Sequence, residues 1–290
     1  MKRYIFFISI LISLTTNSFG QLSDGRVHSL LEAENHFAEL ALEKGTVEAV
    51  LKVSDRSTIL FRPHPVNARQ LYSGATSDDA GSLKWEPLFA KISRSGEWGF
   101  TSGPFSYIIN KTEPPIYGQY VSVWHTNNKG QWKLSLDTRI SHQKPVKNQV
   151  KDINDPNNYR FFRQLSPNRL KQREDMIITT DKLMSNTLLK NQNLALENFL
   201  SKDSRFLLQG YEPVTGKEEV IKFLSRRDIS ISTTPLVANR ALGSDLAYTY
   251  GTALIKINNT ETKHYYIRIW EAQEGFKWNV ILEIFSLAEI

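Results

Sequence analysis

Tyr120-Val-Ser-Val-Trp124, followed by Trp132, returns as Tyr266-Ile-Arg-Ile-Trp270, followed by Trp278, displaced by 146 positions (266 − 120). Aromatic and β-branched residues alternating in this way read as long strands with one face set against a core. Upstream, Asp55, Pro65, Pro87, Thr101 and Gly103 return as Asp203, Pro213, Pro235, Thr249 and Gly251, each 148 positions on (203 − 55; 251 − 103). A constant displacement predicts an ungapped duplication that loses two residues between Ile109 and Tyr120, where the first copy carries Pro114-Pro115. A change of length there assigns that stretch to a surface loop.

Each copy begins with helices. Leu30, Ala33, Phe37, Leu40 and Ala41 fall on one helical face, and Gly45 follows as a C-terminal cap. Thr46 to Leu51 reads as a second short helix, Thr58 to Phe61 as a strand stopped by Pro63 and Pro65, and the residues after Asn67 as a third, brief helix. Lys217 to Leu224 is the better-formed counterpart of that third helix, with Glu218 and Glu219 near its start. Strands follow over Leu88 to Ser93, Trp98 to Ile109, Tyr120 to Thr126 and Gln131 to Ile140, and the order repeats from Thr179 to Ser286. Short connections make the strands antiparallel neighbours, so the class is α+β with helices on one face of a curved sheet, twice over.

Lys2 and Arg3 precede an apolar run from Tyr4 to Leu14, and Ser18-Phe19-Gly20 supplies small residues at a cleavage site. Residues 1–20 therefore read as a secretory signal, and the mature chain of a bacterial periplasmic or secreted protein is expected to start near Gln21. No run approaches the roughly 20 apolar residues of a spanning helix, so no membrane insertion is expected after cleavage. The chain has no cysteine, which excludes disulfides, a thiolate nucleophile and a thiolate metal site. Its net charge of +6 falls to +4 without Lys2 and Arg3 (34 basic against 30 acidic), and export removes nucleic acid as a partner.

The expected layout is a first domain over 21–141, a basic linker over 142–176 and a second domain over 177–290. Lys144, Lys147, Lys151, Arg160, Arg163, Arg169, Lys171 and Arg173 make the linker basic, and Pro145, Pro156 and Pro167 make most of it extended or irregular. Tyr159, Phe161, Phe162 and Leu165 interrupt its polarity, and this cluster is expected to dock on a domain.

The order of elements, with Gly96-Glu-Trp-Gly-Phe-Thr-Ser-Gly103, Tyr120-Val-Ser-Val-Trp124 and Trp132-Lys-Leu, resembles the nuclear-transport-factor-2-like superfamily, and most closely its SnoaL-like branch. Ser244-Asp-Leu-Ala-Tyr-Thr-Tyr-Gly251 and Gly210-Tyr-Glu-Pro-Val-Thr-Gly216 carry the same resemblance in the second copy. It implies cone-shaped domains, each a curved sheet wrapped around its helices with a pocket between them, and pairing through the outer sheet face. A tandem chain can make that pair internally, as a pseudo-dimer. Enzymes of the superfamily place an Asp, His or Tyr in the pocket for proton abstraction beside a carbonyl, but the fold also serves binding and assembly.

Asp137 and Glu283 occupy matching strand positions (283 − 137 = 146) and are the candidate general bases. With Trp132, Leu134 and Leu136 facing the core, strict alternation sets Asp137 on the opposite face, in a salt bridge with Arg139 or another Arg. Tyr248 and Tyr250 on one strand, with Tyr266, Arg268 and Trp270 on another, form either a ligand-binding wall or a domain interface. Tyr120 and Trp124 stand in the same position in the first copy, Arg62 and His64 are candidates for a pocket mouth, and Tyr107 or Tyr248 for polarising a carbonyl. The histidines lack metal-ligand spacing, so neither metal nor cofactor is expected. Three functions remain: binding of a small, largely apolar ligand, a lyase or isomerase, and a structural module with filled cones.

Overall fold

A strand-rich duplicated chain without disulfides must cover two curved sheets, and each sheet has a concave face for helices and a second face that also needs cover. The computed structural model describes residues 21–75, 81–110, 112–146, 149–164 and 166–289. The expected signal segment and Leu165 lie outside them.

In the first domain α1 (Val27–Lys44) buries Leu30, Ala33, Phe37, Leu40 and Ala41, and ends at Gly45, whose φ of 84° suits a residue without a Cβ. After α2 (Thr46–Val53) come β1 (Ser54–Phe61), β2 (Pro65–Asn67) and α3 (Ala68–Leu71), the last capped by the Asn67 side chain, which accepts from the Arg69 and Gln70 N–H groups. Strands β3 (Ser82–Trp85), β4 (Phe89–Ile92), β5 (Trp98–Ile108), β6 (Ile116–Thr126) and β7 (Trp132–His142) complete the sheet. The order is β2-β1-β7-β6-β5-β4, with β3 also paired to β5 and the linker strand β8 (Asp152–Asn154) added in parallel beside β4. The second domain repeats this with α4 (Pro167–Lys190), α5 (Gln192–Phe199), β9 (Leu200–Leu208), β10 (Val214–Thr215), α6 (Lys217–Arg226), β11 (Ile229–Arg240), β12 (Leu246–Ile257), β13 (Thr260–Ala272) and β14 (Trp278–Leu287). Its sheet order is β10-β9-β14-β13-β12-β11. The β1–β7 and β9–β14 pairs run parallel, and the other neighbours within each domain are antiparallel.

Strand pairing corrects the duplication. Ser54 pairs with Leu134 and Leu200 with Val280, so β1 and β9 correspond at 146 positions (200 − 54), not 148. The β2 and β10 arms do correspond at 148 (Val66 and Val214, facing Leu60 and Phe206). Three residues separate Phe61 from Pro65 where five separate Leu207 from Pro213, so the repeat carries a second length change. The Asp55 and Asp203 identity is thus out of register, because backbone ladders align the strands and single identities do not.

A second correction concerns facing. Trp124 pairs with Leu134 and Val123 with Leu136, which leaves Ser135 as a bulge. Trp270 pairs with Val280 and Ile269 with Leu282, leaving Ile281 as its counterpart. One unpaired residue reverses the alternation. Trp132 and Leu134 face α1, Leu136 faces the other way, and Asp137 therefore returns to the interior beside Ser122, contrary to strict alternation.

The faces away from the helices meet. Phe61, Phe89, Trp98, Phe100 and Val121 of the first domain share one buried cluster with Leu246, Tyr248, Ile267, Ile269 and Ile284 of the second. Trp98 stacks on Tyr248 with ring centres 6.3 Å apart, and Phe61 meets Tyr250 edge-on at 5.3 Å. At the rim, Lys91 Nζ lies 2.7 Å from Glu271, and Asp245 accepts from the Ser93 hydroxyl at 2.5 Å and the Arg94 N–H at 2.8 Å.

The linker attaches through both main chain and side chain. The Asp152 N–H donates to Leu88 O at 2.7 Å, and Asp155 Oδ1 accepts from the Val27 N–H at 2.7 Å, at the start of α1. Contrary to the expected docking, Tyr159, Phe161 and Phe162 stay 47%, 39% and 77% exposed. Helix α4 begins at Pro167, inside the stretch expected to be linker.

Candidate functional site: the mouth of the first cone

Acidic residues on the apolar helix faces set the chemistry of both interiors. Glu34 lies between Leu30 and Phe37 on the buried face of α1, and Asp181 lies between Ile177 and Met184 on that of α4. Glu34 is fully buried and accepts from Trp85 Nε1 at 2.5 Å, Thr101 Oγ1 at 2.5 Å and Trp124 Nε1 at 2.8 Å. Burial pushes its pKa up, and those three hydrogen bonds oppose the shift without cancelling it.

In the second cone Arg268 stands opposite Glu283 on the ladder and donates from Nε at 2.9 Å, while its Nη1 pairs with Asp181. Tyr266 Oη also donates to Asp181, at 2.8 Å. All four side chains are buried among Phe206, Leu208 and Phe285. Burial disfavours the charge on Arg268, but Asp181 and Glu283 outweigh it and hold its pKa above the ordinary guanidinium value. Burial also raises Glu283 above the usual carboxylate range, against the pull of Arg268. One guanidinium shared by two carboxylates fills this interior.

The first cone is built differently at the same places. Arg62 follows β1 where the second domain has Leu208, and Arg139 stands on β7 where it has Phe285 (208 − 62 and 285 − 139 both equal 146). Arg62 Nη2 pairs with Asp137, which also accepts from Ser122 Oγ at 3.2 Å. Arg139 Nη2 lies 3.9 Å from Asp137, beyond hydrogen-bond length, and its guanidinium carbon lies 5.1 Å from the centre of the Trp85 ring. Burial lowers the Arg139 pKa, with Asp137 opposing the shift. Tyr120 is fully buried beside Trp85, and burial drives its phenol well above its ordinary value.

A cavity of about 730 Å³ opens here. Leu83, Phe105, Tyr107 and Ile116 wall it, and Arg62 and Arg139 are the charged side chains on its lining. Gln209 and Leu287 of the second domain close one side. Gln209 is held by its Oε1, which accepts from the Ser141 N–H at 3.1 Å, and its Nε2, which donates to Ser141 Oγ at 2.8 Å.

Of the candidate residues, this cavity gathers Arg62 and Tyr107, with Asp137 buried behind the arginines. His64 is exposed on the turn, where its carbonyl accepts from the Arg62 N–H. Tyr120 and Trp124 belong to the first core, Tyr266, Arg268, Trp270 and Glu283 to the second interior, and Tyr248 and Tyr250 to the layer between sheets. Sequence reasoning passed over Glu34 and Asp181. The signal was there, since each is a lone acid on an apolar helical stripe. Among the described residues no cluster of metal-ligating side chains occurs and no helix is long and apolar enough to cross a membrane.

No family model and no curated protein matches the chain. Among solved structures it is similar to an NTF2-like protein from Cytophaga hutchinsonii, at 23% identity over 39% of this chain and 96% of that one, with a TM-score of 0.34. An NTF2-like superfamily protein from Salmonella enterica is similar at 8% identity over 40% and 92% of the two chains, with a TM-score of 0.34. An LEH-like epoxide hydrolase from M. tuberculosis is similar at 12% identity over 41% and 80%, with a TM-score of 0.31. Each of these likenesses spans about one domain, and none assigns an activity to this chain.

Proposed function

We propose that this chain is an exported tandem NTF2-like protein that binds a small, largely apolar ligand in the mouth of its first cone. The second cone serves as a packed support, paired with the first across their sheet faces. The observation that carries this is the cavity of about 730 Å³, within the range of small-molecule sites, walled by apolar and aromatic side chains with few polar groups. The contrast between the copies supports it, because Leu208 and Phe285 pack the second interior at the places where Arg62 and Arg139 line the first. Asp137 is fully buried and bonded to Arg62 and Ser122, so a ligand entering the cavity meets guanidinium before carboxylate. Export rests on Lys2, Arg3 and the apolar run that follows them.

Native mass spectrometry of protein purified from the periplasm tests the reading. A retained small molecule is expected on the wild type and is expected to be lost from Ile116→Trp, which fills the mouth. Full retention by that variant would place the ligand elsewhere, and a wild type that carries nothing and is not stabilised by any member of a small-molecule library would remove the binding function. N-terminal sequencing of exported protein is expected to start near Gln21.

A further inference from the structure

We propose that the ligand of the first cone is an organic acid with an alkyl or aryl body, its carboxylate held by Arg62 and Arg139. This deepens the proposed binding function and rests on it. The charge on the lining is one-sided, since two guanidiniums reach the cavity and no acidic side chain does, among the described residues. Behind them stands one carboxylate, Asp137, and it serves the two unequally. Arg62 takes it in a close ion pair, whereas Arg139 remains 3.9 Å away.

Arg139 is also left short of acceptors. Its Nε is buried without a hydrogen-bond partner, and its guanidinium carbon lies 5.1 Å from the centre of the Trp85 ring, whose face supplies no oxygen or nitrogen acceptor. A buried donor without a partner is costly to the apo protein, and an incoming carboxylate can offset that cost, since its two oxygens match the planar guanidinium fork. Apolar walls at Leu83, Phe105 and Ile116 then require that the rest of the molecule be hydrocarbon or aromatic. The second copy supplies the internal comparison. There the arginine has moved to the Ser122 position as Arg268, is balanced by two carboxylates, and has no charge to offer a ligand.

Calorimetric titration of the full mature chain with decanoate and with decanol tests the inference. Decanoate is expected to bind at least about tenfold tighter, with the advantage shrinking as salt is raised, while decanol binding stays insensitive to salt. Arg139→Met is expected to bring decanoate down to decanol and leave decanol unchanged. Arg139→Lys, which keeps the charge but loses the fork, is expected to fall between them. Should Arg139→Met fail to fold, the wild-type salt series decides alone. Equal binding of acid and alcohol overturns the acid assignment and leaves the binding function standing. Binding of neither probe, together with no retained molecule in native mass spectrometry, overturns both.

Discussion

Arg268 of β13 and Glu283 of β14 face each other on the ladder, joined Nε to Oε2 at 2.9 Å, and both are almost completely buried. Removing one partner of such a pair strands the other. Arg268→Met takes the shared guanidinium from two interior acids, leaving Asp181 the Tyr266 hydroxyl alone, and is expected to cost about 3–5 kcal/mol in urea unfolding. Adding Asp181→Asn and Glu283→Gln to it is expected to recover much of the loss. A single variant as stable as wild type would remove the ion network from the account of the second core.

Glu34 ties stability to pH. Its folded pKa lies above the ordinary 4.5, so the folded state holds a proton that the unfolded state releases. The contribution is therefore fully present at acid pH and is lost as pH rises from about that ordinary value through the folded one. Urea midpoints measured across this interval are expected to fall less steeply for Glu34→Gln than for wild type, with Glu283, also raised, retaining part of the slope. Identical slopes for the two proteins would contradict the assignment.

Gly103 and Gly251 recur in the duplication for one steric reason. A Cβ on Gly103 would lie 2.0 Å from Glu86 O, and one on Gly251 would lie 2.1 Å from Thr234 O. Both obstacles are backbone, so neither can rotate away. Gly103→Ala and Gly251→Ala are each expected to lose at least about 1–3 kcal/mol, measurable as a lower melting temperature. Gly130→Ala, with a positive φ but nothing near its Cβ, separates steric conflict from backbone strain and is expected to cost less.

Lys91 and Glu271 link the domains at 2.7 Å but are each about a quarter exposed. Solvent screens such a pair, so Lys91→Ala is expected to change stability by about 1 kcal/mol or less. Trp98→Ala removes a side chain that is 2% exposed and stacked on Tyr248, and is expected to cost about 3–5 kcal/mol. Calorimetry of the two variants side by side checks whether apolar area or charge joins the sheets. A larger effect from Lys91→Ala would reverse that ranking.

The elements were legible because helices and strands write themselves into local periodicity. Leu30, Phe37 and Ala41 mark α1 by spacing alone, and the Tyr120 to Trp124 stretch marks β6. The linker aromatics misled, since Phe162 is 77% exposed and composition alone does not fix burial in a segment without regular structure. Of the cavity, Arg62 was legible as a candidate for a pocket mouth and Tyr107 as a candidate for polarising a carbonyl. Arg139 was seen only as a partner for Asp137, because its counterpart Phe285 looks like an ordinary core residue and gives no hint of a changed interior.

The sequence by itself determined the duplication, the order of helices and strands, and the aromatic residues that each sheet would bury, all of which depend on neighbours a few positions apart. Only the tertiary structure decided which way the side chains face and which interior stays open. Bulges at Ser135 and Ile281 turned Asp137 and Glu283 inward, and the chain leaving β1 brought Arg62 to the cavity that Arg139 of β7 also lines, where the β9–β14 ladder set Leu208 against Phe285. Facing depends on the register between strands far apart in the chain, and one unpaired residue reverses it.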